Sequence, residues 1–112
     1  MYIGEASKKT NLSIKAIRFY EKKKLIKEPR RVGKYRFYDD SDIELLILIK
    51  EATQLGITLA KLEGVIAYKN GKVDWIKIKT FLNEVKADLL HQIDSLKLKV
   101  IKIDQCCSQM KP

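Results

Sequence analysis

The sequence predicts a mainly helical fold, in which a winged helix-turn-helix head with a small β wing precedes one long C-terminal helix. Two short helical segments joined by a tight turn occupy residues 3–23 and are typical of a helix-turn-helix. An aromatic and basic run at residues 34–38 favours a β ribbon. From about residue 73 to 107 the apolar residues recur with heptad spacing, which favours a helix that pairs with a second helix.

The first two helices follow from apolar spacing and from one capping residue. A first helix is predicted over residues 3–9, and Ser13 is a suitable N-cap for a second helix over residues 14–23. The three-to-four spacing places Ile14 and Ile17 toward the core. The opposite face of the second helix is basic, with Lys15, Arg18 and Lys22.

The wing and the third helix come next. Gly33 supplies a turn before the strand predicted at residues 34–38. The acidic run at residues 39–42 offers several N-caps for a third helix over about residues 43–55, which is largely apolar and therefore expected to be buried. Gly56 is a natural end for this helix.

A fourth helix is predicted to follow the cap residue Thr58, with apolar residues at helical spacing. Asn70-Gly71 is a pair typical of a hairpin turn. Neither flank alternates between apolar and polar residues, however. We therefore expect a loop that ends the fourth helix, and no hairpin.

The last helix is predicted to begin at Val73 or Trp75 and to end near Cys107. Its apolar stripe advances in steps of three and four residues, with one extra four-residue step between Leu89 and Ile93. The predicted helix is roughly three times the average length of about 11–12 residues, and a small head alone cannot cover its stripe. We therefore expect it to pair with another chain; the alternative is a helix folded back on its own head. The predicted dimer contacts are Ile78, Leu82, Val85, Leu89, Ile93, Leu96, Val100 and Ile103.

Charge is distributed unevenly along the 112 residues, whose formal net charge is +9. The first 40 residues carry 12 Lys or Arg against 5 Asp or Glu, and the other 72 carry 11 against 9. A basic half joined to a nearly neutral half indicates a head that binds a polyanion. The aromatic residues among these charges favour nucleic acid over a merely solvated lysine-rich surface.

Several classes of function are not expected. The chain has one histidine, no glycine-rich phosphate loop and no clustered carboxylates in apolar surroundings, so we expect no enzyme. It has no run of about 18 apolar residues, so we expect no membrane span. The N-terminal residues lack the basic and apolar regions of a secretory signal, and a cytoplasmic location is the resulting expectation.

Six segments occur in an order typical of one family: Ile3-Gly4-Glu5-Ala6, Leu12-Ser13, Lys15-Ala16-Ile17-Arg18-Phe19-Tyr20-Glu21, Leu25-Ile26, Tyr35-Arg36-Phe37-Tyr38 and Leu55-Gly56-Ile57-Thr58-Leu59. Through them, residues 1 to about 69 resemble the MerR family of bacterial transcription regulators, and the remainder is similar in character only. Lys24 and Lys34 stand where the family usually has glycine. We therefore expect a reshaped turn after the second helix and a different turn at the wing tip.

The resemblance implies a sequence-specific transcription regulator that acts as a homodimer at the bacterial nucleoid. Its two heads would lie at opposite ends of an antiparallel coiled coil and read the halves of an inverted repeat in double-stranded promoter DNA. An effector would then switch transcription by distorting the DNA for RNA polymerase. The implied domains are a DNA-binding head at 1–72, a dimerisation helix at 73–107 and a short tail at 108–112. The alternatives are an architectural or recombination-directionality DNA binder, or a coiled-coil interaction module with a basic head.

Specific contacts with DNA are assigned by side-chain chemistry. Arg18 can donate to O6 and N7 of guanine, and Arg36 on the wing can meet the backbone or a narrow minor groove. Tyrosine hydroxyls can reach phosphates, whereas Phe19 is expected in the core or as a packing shelf. The predicted DNA-binding residues are Ser13, Lys15, Arg18, Tyr20, Arg30, Arg31, Lys34, Tyr35, Arg36, Tyr38 and Thr58.

Cys106 and Cys107 are the only cysteines, and three roles are open for them. Adjacent thiolates can bind a soft or borderline metal ion, with help from the partner's helix near Asp74. Thiol redox chemistry is a second role, and a small apolar plug on the heptad stripe is a third. Because His91 is a lone histidine in the last helix, we do not expect it to be a metal ligand. The sequence demands no cofactor.

Overall fold

The computed structural model describes residues 1–111 and confirms a mainly helical fold with a small wing and a long C-terminal helix. Two compact units are present, Met1–Lys77 and the residues from 78 onward. Among residues 1–111, none of the helices combines the length and the apolar composition that a membrane span needs. The elements in chain order are α1 (Ile3–Thr10), α2 (Ile14–Lys22), β1 (Arg30–Val32), β2 (Tyr35–Phe37), α3 (Asp40–Gln54), α4 (Leu59–Val65), β3 (Tyr68–Lys69), β4 (Lys72–Val73) and α5 (Trp75–Ser108).

Helices α1 and α2 form the helix-turn-helix. The Ser13 hydroxyl accepts a hydrogen bond from the Ala16 amide at 3.0 Å and caps α2 as predicted. Ile17 is buried, but Ile14 is 39% exposed, so the prediction that both face the core is wrong for Ile14. Helical side chains lean toward the N-terminus of their helix. Ile14 is the first residue of α2 and therefore leans past the helix end.

The core of the head is built on α3, whose Leu45, Leu46 and Ile49 are fully buried. This helix begins earlier than predicted because Asp39 and Asp42 form a capping box. The Asp42 amide donates to Oδ1 of Asp39 at 2.8 Å, and the Asp39 amide donates to Oδ2 of Asp42 at 3.1 Å. Burial raises the pKa of Asp42, and the hydrogen bond from the Asp39 backbone opposes that rise.

The wing is an antiparallel pair of β1 and β2, in which Val32 lies opposite Tyr35. Of the two residues between them, only Gly33 has a positive φ, at 62°, which is the pattern of a type II′ turn. Such a turn needs glycine at its first central position and accepts an ordinary residue at its second. Lys34 therefore fits at the wing tip without strain, because the glycine stands one place earlier.

A second hairpin, formed by β3 and β4, shows that the predicted helix-ending loop at Asn70-Gly71 is wrong. Asn70 has a φ of 54° and Gly71 a φ of 77°, as a type I′ turn requires. The strands are two residues long, and Tyr68 lies opposite Val73. Strands this short cannot show an alternation of apolar and polar residues, so its absence did not argue against a hairpin.

Helix α5 has 34 residues, close to its predicted extent. Ile78 is 3% exposed in the single chain, so the prediction that it contacts a partner helix is wrong. Leu82 and Val85 are half-buried. Heptad spacing identifies the apolar face of a helix but not which part of the assembly covers each position. The predicted contacts that remain exposed are Leu89, Ile93, Leu96, Val100 and Ile103.

Candidate nucleic-acid interface

The outer face of α2 carries three cations. Lys15, Arg18 and Lys22 are all exposed, in agreement with the basic face that the helical spacing predicted. Residues three and four positions apart lie side by side on a helix, so these three side chains form one stripe along α2. A basic stripe on the second helix of a helix-turn-helix can enter the major groove of DNA.

Aromatic side chains also reach the surface of α2. Phe19 is 42% exposed, so of the two positions expected for it, the core is wrong and the packing shelf remains. It lies two positions after the buried Ile17, about 200° around the helix, and this offset is the signal that sequence reasoning overlooked. The Lys23 ammonium lies 5.8 Å from the centre of the Phe19 ring, and the ring of the half-buried Tyr20 lies 6.0 Å from it.

The wing is joined to α2 by an ion pair. Nε of Arg36 donates a hydrogen bond to Oε1 of Glu21 at 3.0 Å and lies 2.9 Å from Oε2. The hydrogen bond to Glu21 raises the pKa of Arg36, against the smaller opposing effect of burial. This contact holds the middle of β2 beside the exposed face of α2, so that wing and helix present their cations together.

Two more wing cations have local partners and remain exposed. Arg31 donates from Nη1 to the Lys34 carbonyl at 3.3 Å, and its Nη2 lies 3.6 Å from a carboxylate oxygen of Glu28. The guanidinium of Arg30 stacks 5.0 Å from the centre of the Phe37 ring. These contacts orient the basic side chains on the outside of the wing, where phosphates can reach them.

Tyr2 is a surface residue that the sequence analysis did not single out. Its ring meets Tyr35 edge-on at 6.2 Å and Phe37 at 5.4 Å, and its backbone forms a bridge with Phe37. Tyr2 and Tyr35 are both exposed, so they extend the wing with two rings that end in hydroxyl groups. Because Tyr2 precedes α1 and belongs to no periodic pattern, the sequence carries no signal for this role.

Tyr38 is not a phosphate contact, and its predicted role is wrong. It is 0% exposed, and its hydroxyl has no hydrogen-bond partner among the described residues. The Tyr38 amide donates to the Met1 carbonyl at 2.7 Å, and the Met1 amino group donates to the Tyr38 carbonyl at 2.6 Å. These bonds hold Tyr38 in the core at the end of the wing, and burial raises the pKa of its hydroxyl.

Ser13 and Thr58 are helix caps with exposed side chains. The Thr58 hydroxyl accepts a hydrogen bond from the Lys61 amide at 3.2 Å and caps α4, as the Ser13 hydroxyl caps α2. A capping hydroxyl is occupied as an acceptor, but its own proton remains free to be donated. Either residue can therefore donate to a phosphate oxygen without losing its cap.

Arg18 and Arg36 line two adjoining depressions in the head. The smaller cleft, of about 180 Å³, opens toward the wing. The larger groove, of about 910 Å³, opens toward the far end of α2. Cations therefore line both depressions, and the two arginines are common to them. The other residues lining the larger groove are Glu21, Lys22, Lys24, Ile26, Lys27, Glu28 and Tyr68.

Both cysteines lie within the last turns of α5, and both are exposed and free. Neighbouring residues on a helix point about 100° apart, so one chain offers two thiols on adjoining sides of the helix. Within residues 1–111, no group of three or more His, Cys, Asp or Glu is placed to hold a metal ion.

A basic helix-turn-helix joined to a cationic wing, followed by a long helix with an exposed apolar stripe, defines a winged helix-turn-helix regulator that binds DNA. Residues 1–69 match the family described as MerR HTH family regulatory protein, and the chain belongs to this family. Regulators of this family bind promoter DNA as dimers.

Relatives match over nearly the whole chain. A probable heavy metal-dependent transcriptional regulator of Haemophilus influenzae is 35% identical, with 100% of this chain and 92% of the relative covered. The HTH-type transcriptional regulator CueR of Yersinia pestis is 31% identical, with 96% and 81% covered. Among solved structures, the lead(II) complex of the transcription regulator PbrR691 from Ralstonia metallidurans shares the fold. Its TM-score is 0.55 at 21% identity, with 99% of this chain and 90% of that chain covered.

The relatives also decide between broader classes of function. All of those named above are transcription regulators, which confirms that the protein is not an enzyme. The alternatives of an architectural or recombination-directionality binder and of a coiled-coil interaction module receive no support from them.

Proposed function

We propose that the protein binds an inverted repeat in promoter DNA as a homodimer, each head reading one half-site through α2 and the wing. One observation carries this proposal. Arg18 on α2 and Arg36 on the wing line the same cleft, so a helix shaped for the major groove and a wing beside it act as one basic surface.

The roles within that surface follow from position. Arg18 reads guanine and Lys15 assists it, because both lie on the exposed face of α2. The remaining residues contact the DNA backbone through charged or hydroxyl groups, and these contacts fix the register of the head on the duplex. The proposed backbone contacts are Ser13, Tyr20, Arg30, Arg31, Lys34, Tyr35, Arg36 and Thr58.

Dimerisation is proposed to use the exposed part of the α5 stripe. The exposed part consists of Leu89, Ile93, Leu96, Val100 and Ile103 in the single chain, and a row of large apolar side chains marks an interaction surface. A second copy of α5, running antiparallel, covers this row with an identical one. The proposed domains are accordingly a head at 1–72, a dimerisation helix at 73–107 and a tail at 108–112.

Regulation is proposed to act through the shape of the DNA. Two heads fixed at the ends of a paired α5 impose a spacing and twist on the operator, and an effector that shifts α5 changes that twist. RNA polymerase at the nucleoid then reads the altered promoter. Bending a site of about 20–30 base pairs costs on the order of 1–6 kcal/mol. The binding free energy of an effector can supply an amount of this size.

The proposed effector is a soft or borderline metal ion held by Cys106 and Cys107. Two exposed adjacent thiols are suitable ligands for such an ion, and relatives named for heavy-metal dependence support this choice. For an ion that takes more than two ligands, a further ligand would come from the start of the partner's α5, near Asp74. Titration of the reduced protein with silver(I) and lead(II), followed by thiolate-to-metal absorption, tests this. Loss of the signal in Cys106→Ser and Cys107→Ser supports the assignment, and an unchanged signal refutes it.

Selection of bound sequences from a random DNA pool, with reduced protein at near-physiological salt, tests the function itself. Recovery of an inverted repeat with two half-sites supports a dimeric regulator, and the half-site spacing gives the distance between the heads. Recovery of no motif refutes sequence-specific regulation.

A further inference from the structure

Lys24 adopts a backbone conformation that ordinarily belongs to glycine. Its φ is 60°, so the turn after α2 keeps the left-handed geometry, and the expected reshaping does not occur. Two backbone hydrogen bonds hold it, from the Lys24 amide to the Glu21 carbonyl and from the Leu25 amide to the Tyr20 carbonyl, both at 3.0 Å. These are the two bonds of a Schellman motif with Lys24 at the left-handed position. Since Leu25 is buried, the turn is fixed in this form.

A lysine at a left-handed position carries a conformational cost that glycine would avoid. Strained residues of this kind concentrate at functional sites, where the side chain is needed more than the stability. Among residues 1–111, the other non-glycine residues with a positive φ are Asn11 and Asn70, and asparagine tolerates this region. Lys24 is therefore the one long cationic side chain in the described residues that stands in this conformation.

The residues around Lys24 indicate the role of its positive charge. Lys24 lines the larger groove beside Arg18 and Lys22, so it extends the cationic stripe of α2 beyond the end of the helix. The two ion pairs of the described residues join Arg31 to Glu28 and Arg36 to Glu21, and neither involves Lys24. Lys27 lines the same groove, but its ammonium is already engaged, because it donates to the Gly71 carbonyl at 2.9 Å.

We propose that Lys24 is an added DNA contact, which binds a backbone phosphate flanking the half-site read by α2. The inference rests on the proposed function and deepens it. The cations from the wing through Arg18 to Lys24 favour a phosphodiester strand over a free anion, because a strand meets several of them in a row. The two carboxylates that line the same groove are paired, Glu21 with Arg36 and Glu28 with Arg31. The strain at Lys24 is retained because its replacement by glycine would remove this contact.

Two substitutions separate the charge of Lys24 from its strain. Lys24→Gln removes the charge and keeps the strain, whereas Lys24→Gly removes both. Each is expected to weaken binding to the selected inverted repeat roughly fivefold per half-site at about 0.15 M salt, and to lower the slope of log K against log salt by about 0.9 per head. Lys24→Gly alone is also expected to shift the folding equilibrium roughly fivefold toward the folded state. Asn70→Gly is the matched control, because it changes a left-handed turn residue without removing a charge and is expected to bind DNA as the parent does.

The outcomes are separable. A Lys24→Gln protein with the parent's affinity and salt slope overturns the contact while leaving the proposed function intact. A parent protein that binds no DNA overturns both. Inorganic phosphate tests whether the groove binds a free anion and not a phosphate of the DNA backbone. If phosphate raises the melting temperature of the parent but not of Lys24→Gln, and both bind DNA equally, the groove holds a free anion and the proposal is wrong.

Discussion

Nε of Arg36 on the wing lies 3.0 Å from Oε1 of Glu21 on α2, so the two parts of the proposed DNA surface are tied to each other by one ion pair. The pair is partly exposed, since 32% of the Arg36 side chain and 11% of the Glu21 side chain are accessible. Glu21 is thus an acidic residue within a basic surface. It fixes the wing at the expense of some attraction for DNA.

Replacement of Glu21 is therefore expected to move stability and DNA affinity in opposite directions. Glu21→Gln removes the charge that holds Arg36, and the free energy of unfolding should fall by about 1 kcal/mol, near the upper end for a partly exposed pair. DNA affinity at low salt should rise, because a negative charge near the phosphates is gone. Chemical denaturation and a salt series of binding measurements test both effects. Glu51→Gln, at an exposed position on α3, is the control and should change neither.

The buried hydroxyl of Tyr38 gives a second prediction. Tyr38→Phe removes a hydroxyl that has no partner among the described residues, so the free energy of unfolding should stay level or rise by up to about 1 kcal/mol. DNA affinity should not change, because Tyr38 is outside the interface. Tyr35→Phe, on the exposed wing, should weaken binding and leave stability unaltered. Weaker DNA binding by Tyr38→Phe would restore the phosphate role that the structure excludes.

The same residue predicts a response to high pH. Burial raises the pKa of Tyr38 above its ordinary value of 10.0, so between about pH 10 and that raised pKa the folded state binds more protons than the unfolded state. Stability must then fall as the pH rises through this window. Tyr68, whose pKa burial also raises, contributes in the same direction. Thermal melts from pH 8 to 11 should show a smaller loss for Tyr38→Phe than for the parent. Equal losses would contradict the assignment.

Local rules predicted much of the head from sequence. The cap at Ser13 and the basic face of α2 each depend on residues within four positions, and the structure shows both. The Asn70-Gly71 hairpin was missed for a different reason: the turn pair alone carried the signal, and two-residue strands carry no pattern. A residue pair that suits both positive-φ positions of a tight turn predicts a hairpin even where the flanking residues show no alternation of apolar and polar side chains.

Burial of single residues depends on partners that sequence does not identify. Tyr38 and the exposed Tyr35 are both tyrosines of the predicted wing strand, but the backbone of Tyr38 pairs with Met1, 37 positions away. Ile78 belongs to the same heptad stripe as Ile93, but only Ile93 is exposed in the single chain. Residue type predicted the wing strand and heptad spacing predicted α5, but neither states which neighbour covers each residue.

Base recognition by Arg18 is tested by a ratio of affinities. Arg18→Ala should reduce discrimination between the selected repeat and a scrambled duplex by about 1–3 kcal/mol for each guanine that Arg18 reads. Lys69→Ala, at an exposed position on β3, removes a charge away from α2 and should lower both affinities equally or not at all. Competition binding at one salt concentration measures the ratio. If Arg18→Ala keeps the parent's ratio, Arg18 binds the backbone and does not read bases.

The proposed dimer interface on α5 is tested by two variants, each of which places one charge on a different side of the helix. Ile93→Asp puts a carboxylate in the middle of the proposed interface, where burying it unpaired costs several kcal/mol, so the protein should sediment as a monomer. Leu98→Asp is the matched control, because Leu98 is also exposed but lies about 140° around the helix from Ile93; it should remain dimeric. Sedimentation velocity distinguishes the two species by mass. A dimer in both variants would place the interface elsewhere, whereas a monomer only in Leu98→Asp would put it on the opposite side of α5. The expected monomer of Ile93→Asp should also bind the inverted repeat far more weakly than the parent, since a single head reads one half-site without the avidity that the second head supplies.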